Sequence, residues 1–292
     1  MGSGRHSPMR APARYFPVSA APLKMAAGLR RFGTDFGQGE RDQRYFQLDG
    51  ERAAYLAAKR AAPPARHALA GDDADAQAAR DAGIAWLRDT LRREAPAVLA
   101  EVDGDKSARD PLDAIARHVQ EDIAILAAGD DYTGRTVALD VRFPSGWRPE
   151  RLAGASFAGL HAPVPGFLDN EAAARSMVMA MVERGPYVRF VWALSPDAQL
   201  DHHPEAVRAA GPVDFQLRVE RQVTVPLPHA RASVFLIRTY LYPIGGRTAA
   251  QQATLLTAVA VMSDEVRAYK GIPDVATLAA ALPTAARVAP LV

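Results

Sequence analysis

The chain has 292 residues, of which 49% are apolar and 23% charged, a balance that excludes a wholly disordered or fibrous protein and allows a sizeable core. It contains no cysteine, so disulfides, thiolate nucleophiles, Cys-based zinc sites, iron–sulfur clusters of its own and thiolate-ligated haem are all excluded. Net charge is +2, with 31 Arg against four Lys, and no Lys/Arg block suggests a nucleic-acid partner.

Residues 1–47 are punctuated by Pro and Gly and carry scattered aromatics (Tyr15, Phe16, Phe32, Phe36, Tyr45, Phe46). They read as an extended arm lying on a folded body, since a free tail rarely holds so many aromatic rings. Residues 1–14 read as a loose leader without the apolar core of a signal peptide. A helical pattern over 51–61 stops at Pro63-Pro64. A second helix is predicted over 74–93, with Ile84, Leu87 and Leu91 on one stripe that Arg80 interrupts. A polar linker follows at 102–109, and Asp110-Pro111 supplies an N-cap and a first-turn proline for a short helix to about 119. Residues 48–118 therefore predict a helical extension packed on a core over 119–270, with 271–292 as a C-terminal tail.

The pattern then changes. A short apolar run at 123–128, a turn at 129–134 and the alternation of Val137, Leu139, Val141 and Phe143 predict a β-hairpin, although periodicity alone leaves helix open for the first run. The stretch 144–170 is irregular and rich in Pro and Gly. A helix over 171–184 is apolar all round, three strands follow at about 187–194, 215–225 and 232–242, and a last helix spans about 248–269. The expected fold is α+β, a PAS-like antiparallel five-stranded sheet with helices on one face and an N-terminal helical extension. No Gly-rich phosphate loop follows a strand, and Walker, nucleophile-elbow and HExxH motifs are absent. The longest apolar stretch, 255–262, is far short of the roughly 20 residues that span a bilayer, so the expectation is a cytoplasmic protein with no membrane partner.

Candidate site residues come from charges in apolar settings. In the strand 215–225, Phe215, Leu217, Val219, Val223 and Val225 share a face by the two-residue period, and Arg221 sits among them. Arg238 repeats this in the next strand, between Leu236 and Tyr240. A buried Arg needs an anion, which is either a nearby carboxylate of the chain or a ligand group. His161 precedes a rigid apolar loop, Ala162-Pro-Val-Pro-Gly-Phe167. Such a setting suits a metal or haem ligand, but on the residues alone a His hydrogen-bonded to backbone is the favoured reading. The other six of the seven His lie in leader, linker, turn or helix-end positions with weaker claims.

The ordered segments His118-Val-Gln-Glu-Asp-Ile-Ala-Ile-Leu126, Phe143-Pro-Ser-Gly-Trp147, His161-Ala-Pro-Val-Pro-Gly-Phe167, Leu217-Arg-Val-Glu-Arg-Gln222 and Phe235-Leu-Ile-Arg-Thr-Tyr240 resemble the motif series of the haem-dependent oxidative N-demethylase family. Pro22-Leu-Lys-Met-Ala-Ala-Gly-Leu29 and the region from Asp42 to Tyr45 also fit. The resemblance implies a PAS-like fold turned catalyst, with haem b in its pocket. It implies dioxygen and a small, dimethylamine-like secondary amine as substrates, with a primary amine and formaldehyde as products. Electrons are expected from NADPH through a separate flavin and iron–sulfur reductase. His161 is the expected axial ligand and metal site. Arg221, Arg238 and Trp192 are the expected cofactor contacts, and Arg221, Glu220 and Tyr240 the expected catalytic set. By strict alternation Glu220 points away from Arg221, and Arg221 is the preferred occupant of the pocket. The alternative is a PAS-like module that senses or binds haem or another small ligand without turnover.

Overall fold

The computed structural model of the chain describes residues 13–21, 28–35, 37, 43–165, 171–208 and 211–282. Phe36, Asp42, Gly166, Phe167 and most of the 22–29 segment, which carry parts of the sequence reading, lie outside the described residues.

The predicted hairpin is present as β3 (Asp122–Ala128) and β4 (Gly134–Asp140), and the meander as β5 (Tyr187–Ser195), β6 (Gln216–Leu227) and β7 (Ala232–Pro243). The sheet has seven strands, not five. Two short edge strands, β1 (Arg30–Arg31) and β2 (His67–Leu69), complete the order β1-β5-β6-β7-β3-β4-β2, with every neighbouring pair antiparallel. Strands of two and three residues are too short to leave a period in the sequence, which is why they were missed.

Helices α1 (Arg52–Ala61), α2 (Ala74–Glu94) and α4 (Pro111–Ala116) fall where predicted. The Asp110 carboxylate accepts from the backbone N–H of Leu112 and Asp113, so the cap read from sequence is made. Arg80, which interrupts the α2 stripe, donates to the carbonyls of Ala70 and Gly71 and so ties the helix to the strand before it. Helices α3 (Pro96–Gly104) and α5 (Phe157–His161) were not foreseen, and α6 (Glu171–Glu183) was. The predicted helix 248–269 is two helices, α7 (Ala249–Ala260) and α8 (Asp264–Tyr269), because the Ser263 hydroxyl caps the second by accepting from Val266 N–H. Helix α9 (Val275–Ala281) lies in the segment read as a tail and buries Leu278.

Helices cover both faces of the sheet, which corrects the one-face expectation. On the first face, α2 to α4 pack over Ile123, Ile125, Val223, Val225, Val234 and Leu236. At the other end of the same face, α7 to α9 pack over Trp192, Leu194, Leu217, Val219 and Tyr240. Helix α2 comes so close that a Cβ at Gly83 would stand 2.7 Å from Ile125 Cδ1. On the second face, α6 packs against β3, β6 and β7 and joins α5 in a cluster with Leu126 and Ala128.

Between the two clusters of the first face lie Arg221 and Arg238, directly opposite each other across β6 and β7 and both fully buried. The arm crosses them. Arg221 donates to the carbonyls of Arg44 (2.8 Å) and Tyr45 (3.0 Å), and Arg238 pairs with the Asp49 carboxylate at 2.9 Å. The Arg238 guanidinium also lies 4.0 Å from the Tyr55 ring centroid and 4.6 Å from that of Tyr240. Gln47 donates through its backbone N–H to Glu121 Oε1 (2.7 Å) and through its side chain to the Tyr15 hydroxyl (2.7 Å), while its Oε1 accepts from the Tyr240 hydroxyl.

Asp49→Ala leaves the Arg238 charge without its carboxylate partner. It is expected to lower the unfolding free energy in urea by about 1.5–3 kcal/mol, with Asp49→Asn losing less, because a hydrogen bond to a buried charge is worth that much.

Candidate functional site

Because residues 217, 219, 221, 223 and 225 of β6 face the arm, Arg218, Glu220 and Gln222 face the other way. Across the β5–β6 pair they meet Ala193, Val191 and Arg189, and across β6–β7 they meet Leu241, Thr239 and Ile237. A polar row results. Arg218 Nε donates to Glu220 Oε1 (3.0 Å), Gln222 Nε2 donates to Glu220 Oε2 (3.0 Å), and Arg189 Nε donates to Gln222 Oε1 (2.7 Å). Arg218 is itself pinned, donating to the Leu200 carbonyl and the Thr239 hydroxyl. Beside the row, Val191, Ala193, Phe235 and Ile237 are only half-buried, whereas Trp192, Leu194, Val234 and Leu236 on the first face are buried.

His161 stands at this face, at the end of α5, whose start is capped by the Ser156 hydroxyl accepting from Gly159 N–H. Its ring lies 4.2 Å from that of Phe157, and Nδ1 is 2.9 Å from the Phe157 carbonyl. A carbonyl only accepts, so Nδ1 carries the proton and Nε2 the lone pair. Burial lowers the His161 pKa, the Phe157 carbonyl opposes that, and the Arg189 charge lowers it further, so the ring is neutral at neutral pH.

Lys270, at the end of α8, donates to the Trp192 carbonyl at 2.7 Å. This is a part of the β5 edge that β1 leaves uncovered, since β1 pairs only with Tyr187 and Val188. Burial pushes the Lys270 pKa down to about 8, with the Glu220 charge raising it and that of Arg189 lowering it.

The sequence-predicted residues are thus divided between two faces. His161 and Glu220 come to the second face, and Arg221, Arg238, Tyr240 and Trp192 to the first. Arg221, the preferred residue in sequence, lies on the face that residues 44–45 and the helices close, and Glu220 lies on the other. Arg221 and Arg238, read as contacts for a bound group, have arm carbonyls and Asp49 as partners. Trp192 packs in the cluster under α7 to α9, and Tyr240 meets Gln47 and Tyr15. Sequence reasoning missed Arg189, Gln222 and Lys270. The two-residue period places Arg189 on the same side as Val191, but the register that sets it against Gln222 is tertiary, and Lys270 reaches Trp192 across 78 residues of chain.

A second cluster lies outside this face. His67, Asp113 and Asp140 bring potential ligand atoms within 4.8 Å of one another. The space between the aspartates is taken by Arg142, whose Nη2 is 2.6 Å from Asp113 and 2.7 Å from Asp140. His67 bridges Asp110 (2.6 Å) and Asp140 (3.1 Å). Burial alone would lower its pKa, but hydrogen bonds to Asp110 and Asp140 and their charges raise it to about 9. The cluster is an ion-pair network that fastens β2 and α4 to β4.

The fold is thus an α+β sheet whose first face is closed by residues 44–49 and the helices, with a neutral imidazole and half-buried apolar residues on the second. The family model for haem-dependent oxidative N-demethylase, alpha subunit-like proteins matches residues 83–279, and the chain belongs to this family. The match takes in all five long strands and α5 to α8. Haem dependence and oxidative N-demethylation are the properties its name carries. Among the described residues no helix is long and apolar enough to cross a membrane.

The His67 network makes stability depend on pH in a defined direction. Its folded pKa of about 9 lies above the unfolded value of about 6.5, so its contribution is full below pH 6.5 and is lost as pH rises through 9. Urea unfolding at pH 6 and pH 10 should show a loss of about 2–3 kcal/mol at the higher pH, and His67→Gln should flatten most of that difference.

Proposed function

We propose that the protein is a haem-dependent oxidoreductase that removes a methyl group from a small secondary amine, giving a primary amine and formaldehyde. The observation that carries this reading is His161: a neutral imidazole, held through Nδ1 by the Phe157 carbonyl, on the face where Val191, Ala193, Phe235 and Ile237 remain half-open. A ring nitrogen fixed in this way is the usual arrangement of a metal-binding His, since the second hydrogen bond sets tautomer and orientation. The donor set therefore fits haem b, with Nε2 of His161 as the iron ligand and the strand residues as an apolar floor. When bound, haem supplies activation of dioxygen and oxidation of the methyl carbon.

The remaining tasks fall to side chains of this chain. A small secondary amine is protonated at neutral pH, and Glu220 is the carboxylate on this face that can pair with its ammonium group and accept its proton. Arg218 and Gln222 each hold one Glu220 oxygen, so the carboxylate is oriented before any substrate arrives. Val191, Ala193, Phe235 and Ile237 exclude water from the reacting methyl group. Arg221, Arg238, Tyr240 and Trp192 act at one remove, by fixing the sheet from its other face. Supporting the PAS-like reading is the strand order, in which the hairpin and the meander join with β3 beside β7. With no cysteine for a cluster of its own, the chain needs a separate reductase, for which NADPH, flavin and an iron–sulfur centre are the proposed electron route in the cytoplasm.

Haemin added to the purified protein should give a shifted Soret band, and His161→Ala should weaken haemin binding by at least about tenfold. An identical Soret titration in His161→Ala overturns the ligand assignment. With haem bound and a surrogate reductase, dimethylamine should release formaldehyde, and Glu220→Gln should lower kcat/KM about tenfold or more while leaving haemin affinity unchanged. Haem binding without formaldehyde from any methylamine would instead identify a ligand-sensing module.

A further inference from the structure

We propose that Lys59 and Asp122 condense with each other into a side-chain amide, a cross-link made by the chain itself that ties α1 to the start of β3. Lys59 lies on the buried side of α1, Asp122 is the first residue of β3, and both are fully buried. Lys59 Nζ stands 3.5 Å from Asp122 Oδ1. Its hydrogen bonds go elsewhere, to the carbonyls of Ala116 (3.1 Å) and Glu121. A neutral amine has two N–H bonds, so these carbonyls use both and leave the lone pair for the Asp122 side. On the carboxyl group, Oδ2 accepts from the Phe143 backbone N–H at 2.9 Å, while Oδ1 has no hydrogen-bond partner among the described residues. The Phe143 ring closes the site, with its centroid 5.7 Å from Nζ.

In water an amine and a carboxylic acid exchange a proton, and the ammonium and carboxylate that result do not condense. Burial works against that exchange. It lowers the Lys59 pKa, with Asp122, Asp140 and Glu121 opposing and Arg142 assisting. It raises the Asp122 pKa, with Lys59 and the backbone N–H groups of Phe143 and Arg142 opposing and Asp140 assisting. A desolvated lysine amine is a nucleophile, and one fixed beside its target reacts as though at very high concentration. The Nζ lone pair attacks Asp122 Cγ as the C–O double bond to Oδ2 opens, and the Phe143 N–H meets the charge that forms on Oδ2. The double bond then re-forms and the Cγ–Oδ1 bond breaks. Oδ1 leaves as water, carrying its own acid proton and one from Nζ, and the C–N bond stays. No oxidant, cofactor or second reactant is consumed.

Helix α1 also carries Tyr55, whose ring covers Arg238 and whose hydroxyl donates to the Thr239 carbonyl at 2.8 Å. The cross-link thus locks the cover of a buried arginine to the sheet. Intact-mass spectrometry of the purified, unaltered protein in denaturant should give a mass lower by one water than the sequence requires. Trypsin does not cut after an acylated lysine, so peptides 53–60 and 118–135 should elute as one branched species joined through Lys59 and Asp122. Asp122→Ala and Lys59→Met should each show the full mass of their sequence and release the two peptides separately. Full mass in the unaltered protein overturns the cross-link. So does a water loss confined to one peptide, as in a cyclic imide at Asp49-Gly50 or Asp103-Gly104, or a joined pair that persists in Asp122→Ala. None of these results depends on haem, so the haem reading stands or falls separately.

Discussion

Two guanidinium groups, Arg221 and Arg238, sit opposite each other across a pair of central strands, both fully buried, and the rest of the molecule is arranged to make that tolerable. Like charges facing each other in a sheet are destabilising, and each buried cation left without partners would cost several kcal/mol. Segment 44–49, where the arm runs into the helical extension, removes that penalty with two carbonyls for Arg221 and the Asp49 carboxylate for Arg238. The arm is fastened in turn by Gln120 and Glu121, whose side chains accept from the backbone N–H of Asp49 and Gln47. Residues of the 118–126 motif thus hold the segment that satisfies the two arginines.

This dependence crosses the boundary of the family match. Arg221 and Arg238 lie within residues 83–279, and the groups that satisfy them lie upstream of it. The matched region therefore holds a buried charge problem that the preceding segment solves. Closing the first face in this way leaves the half-buried Val191, Ala193, Phe235 and Ile237 on the second. On the first face α2 to α4 lie at one end, α7 to α9 at the other and residues 44–49 between, while on the second α6 packs against β3, β6 and β7.

Two histidines show how strongly the surroundings decide chemistry in one fold. His67, between two aspartates, is a cation at neutral pH and behaves as a structural clasp. His161, between a backbone carbonyl and the positive field of Arg189, is neutral and keeps a lone pair on Nε2. The same side chain is a cationic hydrogen-bond donor in one place and a metal-ligand type in the other, because carboxylates stabilise imidazolium and burial beside a guanidinium does not.

The sequence by itself determined the long elements, since their periods, caps and breakers are local. Alternation gave β4, an apolar run closed by a turn suggested β3 without excluding helix, and the Asp110-Pro111 pair gave α4. It also determined that Arg221 and Glu220 point to opposite faces. Only the tertiary structure decided which face is open, because that depends on where the arm and α7 to α9 settle, and apolar character along a strand marks the closed face as readily as a ligand-binding one. The edge strands β1 and β2, the joining of Arg189 to Gln222 and Glu220, and the approach of Lys270 to Trp192 were beyond reach for the same reason. Register and long-range contacts follow from the packing of the whole chain, while period and capping are set within a few residues.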